Sequence, residues 1–455
     1  MDTTIKTLKQ AIFEKAKTIG FTESELYFTR SESFSVSIRK GEIEEYKNSI
    51  PQGISFRGTF EGKTGYAFSE RVDESIIEVL LNTAKENALI KESSAEPLFK
   101  GSEHYPTVDE LSEKLAETSV PEKIEMAKKI EQLADNSDPR IKGVDYAVVA
   151  SGRSETYITN SFGLELYHES GSGVAAVGVR AVEGESTKVA YEYWSGKDFG
   201  DFSAEKLVKK VVKKVTDKLG AKSIPSGAYE VVLKNEVVKD ILSVVVNNFY
   251  AEKVQKGLSL LAGKLGEKVA SEKLTICDNV KHDLSLTAVP FDSEGVATLD
   301  KVVIEKGILK TFLYNQKSAL KEKKQSTGNG FKGSFKSSVD TSINNFFIEA
   351  GEVSFDNMIE AIENGILITD VQGLHAGVNA ISGDFSLQAN GFLIQGGRIS
   401  KPVEQITIAG NFYDLLKDIE VIADDLYFSP FSSIGTPSML VKNITVSGNG
   451  NGNGE

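Results

Sequence analysis

Sulfur and imidazole are scarce in this chain. One cysteine, Cys277, in 455 residues excludes an internal disulfide and a cysteine-rich zinc site and fits a reducing compartment. Cys277 itself reads as a small buried apolar residue. There are four histidines, His104, His168, His282 and His375. A catalytic zinc commonly takes two of its ligands one helical turn apart; no two of these stand that close, so each reads as a surface or hydrogen-bonded histidine. Long apolar runs are missing too. No stretch reaches the roughly 18 residues of a membrane span, and Met1 to Leu8 lacks the apolar core of a signal peptide. The cytoplasm is therefore the expected location. Excess positive charge is also absent, with 52 Lys and Arg against 65 Asp and Glu and a formal net charge of −13. That field repels polyanions, and phosphate neutralisation supplies most nucleic-acid affinity, so neither nucleic acid nor membrane is an expected partner. The one basic stretch, Lys206, Lys209, Lys210, Lys213, Lys214 and Lys218, alternates with Leu207, Val211, Val215 and Leu219. It reads as the solvated face of an amphipathic helix.

What is present is length and periodic patterning. A chain of this size suggests about three domains and buries roughly three quarters of its unfolded surface without disulfides or metals. Ile5, Leu8, Ile12, Ala16 and Ile19 recur at helical steps, with Gly20 as the stop. From Glu25 to Ser69 short alternating runs are punctuated by Lys40-Gly41 and Glu61-Gly62-Lys63, which predicts hairpins. A helix follows over 73–87, and another starts near Pro121. Around Asp145 the programme restarts: 154–163 stands for a hairpin, 173–180 for a further strand and 203–219 for a closing helix. The expected fold class is α+β. An amino-terminal α+β region, 1–220, holds two related hairpin-hairpin-helix units at 25–88 and 145–220. The turn-rich segment 221–227 is the boundary, and a mainly antiparallel β domain with a few helices covers 225–447. There Gly295, Gly307, Gly351, Gly365, Gly373, Gly383, Gly391, Gly397 and Gly410 recur at spacings near 10 residues. Helices are expected at 236–253, 354–363 and 412–419. The tail 448–455 has nothing to bury and is expected to be disordered.

Chemistry is harder to find. Gly328 to Gly333 matches G-x-G-x-x-G by letter, but Lys321 to Gln325 precedes it and no helix pattern follows, so it lacks the strand and helix that phosphate binding needs. No Gly-x-Ser-x-Gly elbow presents a serine. Asp292 and Glu294, with Gly295, read either as an acid/base pair or as a polar corner between strand and turn. Asp384, between Gly383 and Ser386, reads as a turn former. A hydrolase built from Asp292, Glu294 and His282 remains an open reading.

One block is specific. Val289 to Val296 (Val-Pro-Phe-Asp-Ser-Glu-Gly-Val), Glu305 to Tyr314 and Ser326 to Gly330 follow one another, and 383–386, 396–403, 406–412 and 443–448 continue the order. Together they resemble the TldD/PmbA family, known as modulators of DNA gyrase. The resemblance covers most of the chain and is strongest over 227–448. It implies a pair of similar subunits enclosing a chamber in which the TldD member, a zinc peptidase with a His-Glu-x-x-x-His helix, cleaves unstructured peptides. Registering Gly266 to Ser271 on the family pattern puts Leu242, Ser243 and Asn247 at the first His, the Glu and the second His. The cysteine that completes the family's site has no counterpart in 424–435. The resemblance therefore implies a PmbA/TldE-like non-catalytic subunit with no metal and no cofactor. Its expected partners are a TldD-like zinc peptidase subunit and unstructured peptide, with a homodimer when alone. Asp292, Glu294, Gly295, Thr327, Gly328, Asn329, Gly383, Asp384 and Ser386 are the motif residues expected to line the chamber. The alternative is a stand-alone homodimeric peptide-binding or scaffold protein.

Overall fold

The computed structural model describes residues 3–109 and 111–450. Helix α1 (Thr3–Ile19) buries Leu8, Ile12 and Ala16 and stops at Gly20, whose φ of 111° lets its N–H reach Ala16 O. Strands β1 (Glu23–Arg39), β2 (Glu42–Ser49), β3 (Gln52–Phe60) and β4 (Lys63–Ser69) make two hairpins. Their turns place Lys40-Gly41 and Glu61-Gly62 at positive φ, the geometry that matches strand twist. Helices α2 (Ile77–Leu89), α3 (Glu113–Glu117) and α4 (Val120–Asp135) follow, the last opened by a Ser119/Glu122 capping box. Then come β5 (Ile141–Asn160), β6 (Glu165–Glu183), β7 (Ser186–Gly196) and α5 (Ala204–Thr216). All seven strands form one antiparallel sheet in the order β4-β3-β1-β5-β6-β7, with β2 beside the second half of β1. α1 and α2 share a core with β1, β3 and β4, while α4 and α5 share another with β1, β5 and β6.

The second unit departs from the hairpin-hairpin-helix expectation. It is a meander of three long strands followed by a helix. Gly171 and Gly173 lie inside β6, where an added Cβ would stand 2.4 Å from Leu111 and 2.6 Å from Phe199. They are kept small by packing against the strand.

The carboxy-terminal half runs β8 (Pro225–Gly227), β9 (Glu230–Leu233), α6 (Asn235–Val245), α7 (Ala251–Gln255), β10 (Ile276–Asn279), β11 (Lys301–Glu305), β12 (Ile308–Leu309), α8 (Gln316–Lys321), β13 (Gly330–Lys332), β14 (Val339–Thr341), β15 (Asn345–Ile348), α9 (Phe355–Glu360), β16 (Asn364–Gln372), α10 (Leu374–Gly377), β17 (Asp384–Gln395), β18 (Arg398–Asn411), α11 (Phe412–Lys417), β19 (Ile419–Ile422), β20 (Tyr427–Phe428), β21 (Ile434–Thr436), β22 (Met439–Val441) and β23 (Thr445–Asn449). An eight-stranded sheet, β19-β22-β9-β16-β17-β18-β23-β8, and a six-stranded sheet, β12-β11-β10-β15-β21-β20, share one core with α6. Pairing is antiparallel except β9 with β16 and β15 with β21 among the described strands. The architecture is thus mixed α+β with mostly antiparallel sheets.

Two further expectations change. The helix expected over 236–253 breaks after Val245 into a tight turn, Val246–Phe249, before α7. Asn248 Nδ2 donates to Val245 O, and Phe249 O and Ala251 N both bond Leu313, which draws Tyr250 into extended backbone. The tail does not begin at 448: Gly448 and Asn449 belong to β23, paired with Ile406 and Pro225. Residues 451–455 lie outside the described residues. No helix among the described residues is long and apolar enough to cross a membrane.

Candidate functional site

Asp292 and Glu294 lie where the amino-terminal sheet meets the loops before β13, and both are buried, 1% and 4% exposed. Asp292 is committed to backbone. Its Oδ1 accepts from Glu294 N and Val296 N, and its Oδ2 from Gly330 N at 2.8 Å. That pattern ties one loop to the next strand and favours the polar-corner reading. Glu294 Oε2 accepts from Gln316 N, 2.8 Å, and a Cβ on Gly330 would stand only 2.2 Å from it. Burial pushes the Glu294 carboxyl up to about 7, opposed by the Arg57 charge. Burial, then the neighbouring Glu294 charge, raises Asp292 well above the usual carboxylate range.

Opposite them stands a set that spacing did not reveal. Arg57 holds Glu25 through Nε and Nη2 at 3.0 and 2.9 Å, a bidentate pair fixed by the β1–β3 register that sets the two side by side. Lys332 is half-buried between the Tyr27 ring, 4.4 Å, and the Tyr66 ring, 5.3 Å, and desolvation there pushes its ammonium down to about 8. Tyr27 OH meets Ser293 Oγ at 3.2 Å, and Tyr66 OH donates to Phe335 O and Ser337 O. These residues are far apart in the chain, so no local motif links them. The available signal was charge at inward positions: Glu25 precedes Leu26-Tyr27-Phe28, and Arg57 follows Phe56.

The other expected residues divide. Gly295, Thr327, Gly328 and Asn329 join this junction. Tyr105 OH donates to Gly295 O, Thr327 Oγ1 donates to Asn329 Oδ1, and Asn329 Nδ2 donates to Asp278, itself paired with Lys301 at 3.0 Å. Gly328 needs its missing side chain, because a Cβ would meet Ala297 O at 2.5 Å. The G-x-G-x-x-G stretch enters the short ribbon β13–β14 and no helix. Gly383, Asp384 and Ser386 lie apart, at the start of β17, where Asp384 accepts from Ser382 and Asn411. Asp292, Glu294 and Asn329 are inside the protein, whereas Asp384 and Ser386 face solvent.

His282 packs against Phe347 and Phe428, at 4.7 and 5.0 Å, and its Nδ1 accepts from Leu284 N. With Asp292 saturated by backbone donors, the Asp292, Glu294 and His282 hydrolase reading finds no support in this geometry. His168 lies on Phe291, and His104 and His375 are exposed. Cys277 is buried beside Glu349, and burial pushes its thiol up to about 12, the opposite of an activated thiolate.

The helix α6 positions do not fit a metal. Leu242 is 1% exposed and faces the shared core, while Ser243 and Asn247 are exposed. Ser243 Oγ donates to Asp240 O, and Asn247 lies beyond the helix end. In 424–435, Asp425 is filled by donors from Lys234, Asn235 and Ser438, and Asp424 Oδ1 accepts from Phe355 N. Among the described residues no three His, Cys, Asp or Glu side chains converge in a ligand set. The donor set that zinc needs is therefore not assembled by these residues.

Comparison with known proteins returns one family along the chain. Residues 24–88, 113–219 and 226–448 match, in turn, domain 1, the central domain and the C-terminal domain of the PmbA/TldA metallopeptidases. A Haemophilus influenzae protein named metalloprotease PmbA homolog is 29% identical, with 97% of this chain and 96% of that one aligned. The metalloprotease TldD homolog of the same organism is 25% identical, over 93% and 92%. Among solved structures, a Thermotoga maritima protein described as a candidate modulator of a DNA gyrase superposes with TM-score 0.89 and 32% identity, covering 97% of this chain and all of that one. Thermococcus kodakarensis TldE superposes with the same score at 24% identity, covering 97% of this chain and 100% of that one, which speaks for the fold.

Proposed function

Because the chain belongs to the PmbA/TldD metallopeptidase family, we propose that it is the non-catalytic, PmbA/TldE-like subunit of a peptidase assembly whose zinc and hydrolytic water sit in a TldD-like partner. The observation that carries this reading is Leu242. An aliphatic side chain turned into the core offers no lone pair to a cation, and neither Ser243 nor Asn247 supplies a carboxylate base to activate water. The likeness to relatives named both PmbA and TldD supports a partner of similar fold. An extended peptide can be held by strand addition, through main-chain hydrogen bonds that are blind to side-chain identity. Strand β7, at the end of its sheet, offers such an edge.

The test is reconstitution. The isolated chain should carry no stoichiometric zinc and hydrolyse no unstructured peptide, and mixing with a TldD-like paralogue from the same genome should yield a stable complex with altered peptidase activity. Full peptidase activity from the isolated chain would overturn the proposal. No complex and no change on mixing would favour the stand-alone peptide-binding reading.

A further inference from the structure

Lys123 is an unusual lysine for its position. It stands in the first turns of α4, where the helix dipole disfavours a cation, and it is only 7% exposed. Its Nζ donates to Ser151 Oγ at 2.9 Å and lies 5.2 Å from the Phe34 ring and 6.0 Å from that of Phe199. Among the described residues no carboxylate comes within ion-pair distance of it. Glu122 turns its carboxylate back to Ser119, and Glu32 is held by Arg30 at 2.8 Å. An ammonium has three N–H donors, and a buried cation without a charged partner is costly. One hydroxyl does not fill that demand.

A cavity of about 200 Å³ opens beside it, lined by Lys123, Ser151, Phe34, Leu115 and Arg153, with Glu32 on the wall. Arg153 is engaged by Glu169 and Glu155, so the uncommitted cation is Lys123. We propose that this cavity is a carboxylate-binding site, in which Lys123 and Ser151 hold a carboxylate group carried by a small free acid or by the C-terminus of a peptide. A single available cation beside an acidic wall suits a monoanion better than a doubly charged phosphate or sulfate. The Phe34 and Leu115 surfaces suit the apolar part of such an acid. This site lies on the sheet of the amino-terminal region and does not depend on the role proposed above.

Calorimetric titration of the full chain at constant ionic strength tests it with three probes: acetate, N-acetyl-dialanine and the C-terminal amide of that dipeptide. The acid should bind more tightly than the amide by roughly tenfold or more, the worth of a hydrogen bond to a charged group. Lys123→Met should remove the difference. Dipeptide acid binding above acetate assigns the site to peptide ends; acetate binding as well or better assigns it to free acids. Measurable and equal binding of the dipeptide acid and its amide, or no binding of either acetate or the dipeptide acid, overturns the proposal. Should Lys123→Met fail to fold, Ala116→Trp at the exposed rim closes the cavity with the lysine in place. Unchanged acid binding in that variant is equally fatal.

Discussion

Glu294 and Lys332 belong to one charged cluster at the junction and are displaced in opposite directions, which gives it a pH signature. For Glu294 the folded value, about 7, stands above the ordinary 4.5. Its contribution to stability is fully present below 4.5 and is lost as pH rises through 7, because the unfolded chain releases the proton first. For Lys332 the folded value, about 8, stands below 10.5. Here the folded protein releases the proton first, so stability is regained as pH rises from 8 towards 10.5. The combined contribution should be smallest between about 7 and 8. Urea midpoints followed across this range should dip there. Glu294→Gln should flatten the acid side of the dip and Lys332→Met the alkaline side, and parallel curves for wild type and Glu294→Gln would show that the carboxyl titrates in the folded protein as it does in the unfolded chain. Neither residue was legible as a partner of the other. Asp292 and Glu294 stood out as a pair by adjacency, but Glu25, Arg57 and Lys332 meet them only through folding.

At the scale of elements, legibility followed periodicity. The α1 stripe, the capped start of α4 and the two type-defining turns at Lys40-Gly41 and Glu61-Gly62 all carry their instructions locally. α6 did not, because its stripe Val237, Val238, Ile241, Leu242 and Val245 continues to Phe249, while the break is imposed from outside by Leu313. That break matters for the two positions that the family resemblance sets against the zinc histidines, since it separates Leu242 in the core from Asn247 in solvent. The double change Leu242→His with Asn247→His should therefore fail to create a stoichiometric zinc site by mass spectrometry. It should cost about 2–4 kcal/mol in urea denaturation, from a lost aliphatic contact and an imidazole buried without a partner. Tight zinc binding with unchanged stability would mean that the core at Leu242 can open. A second element-scale test lies at Gly65 on β4, where a Cβ would stand 2.1 Å from Ala84 O of α2. Gly65→Ala should push α2 off the sheet and cost about 1–3 kcal/mol, as overpacking does, and a loss of only a few tenths would show that the helix slides freely.

Across the whole molecule, composition told more about what the chain avoids than about how its halves meet. The amino-terminal sheet and the carboxy-terminal sheets have separate cores, and a small cluster bridges them, with Tyr27, Ile158 and Leu164 on one side and Phe291 and Phe335 on the other. Such a contact has no sequence period, so it could not be read from the chain. Its tightest point is Gly53 on β3, where an added Cβ would lie 2.3 Å from the Phe335 ring. Gly53 is therefore the socket for Phe335, and valine there suits a strand while evicting the ring. Losing a buried phenylalanine contact costs about 1.5–3 kcal/mol, and here the loss falls on the joint, with both cores left intact. Wild type should unfold in a single calorimetric transition, with the polar cluster and Phe335 coupling the halves. Gly53→Val should lower the first transition and separate it from the second, and the loop between β13 and β14 should become the new site of limited proteolysis. A single transition at an unchanged midpoint, with that loop still protected, would place the coupling elsewhere, in contacts such as Lys188 with Glu404 that span the same halves on the far side of the sheet.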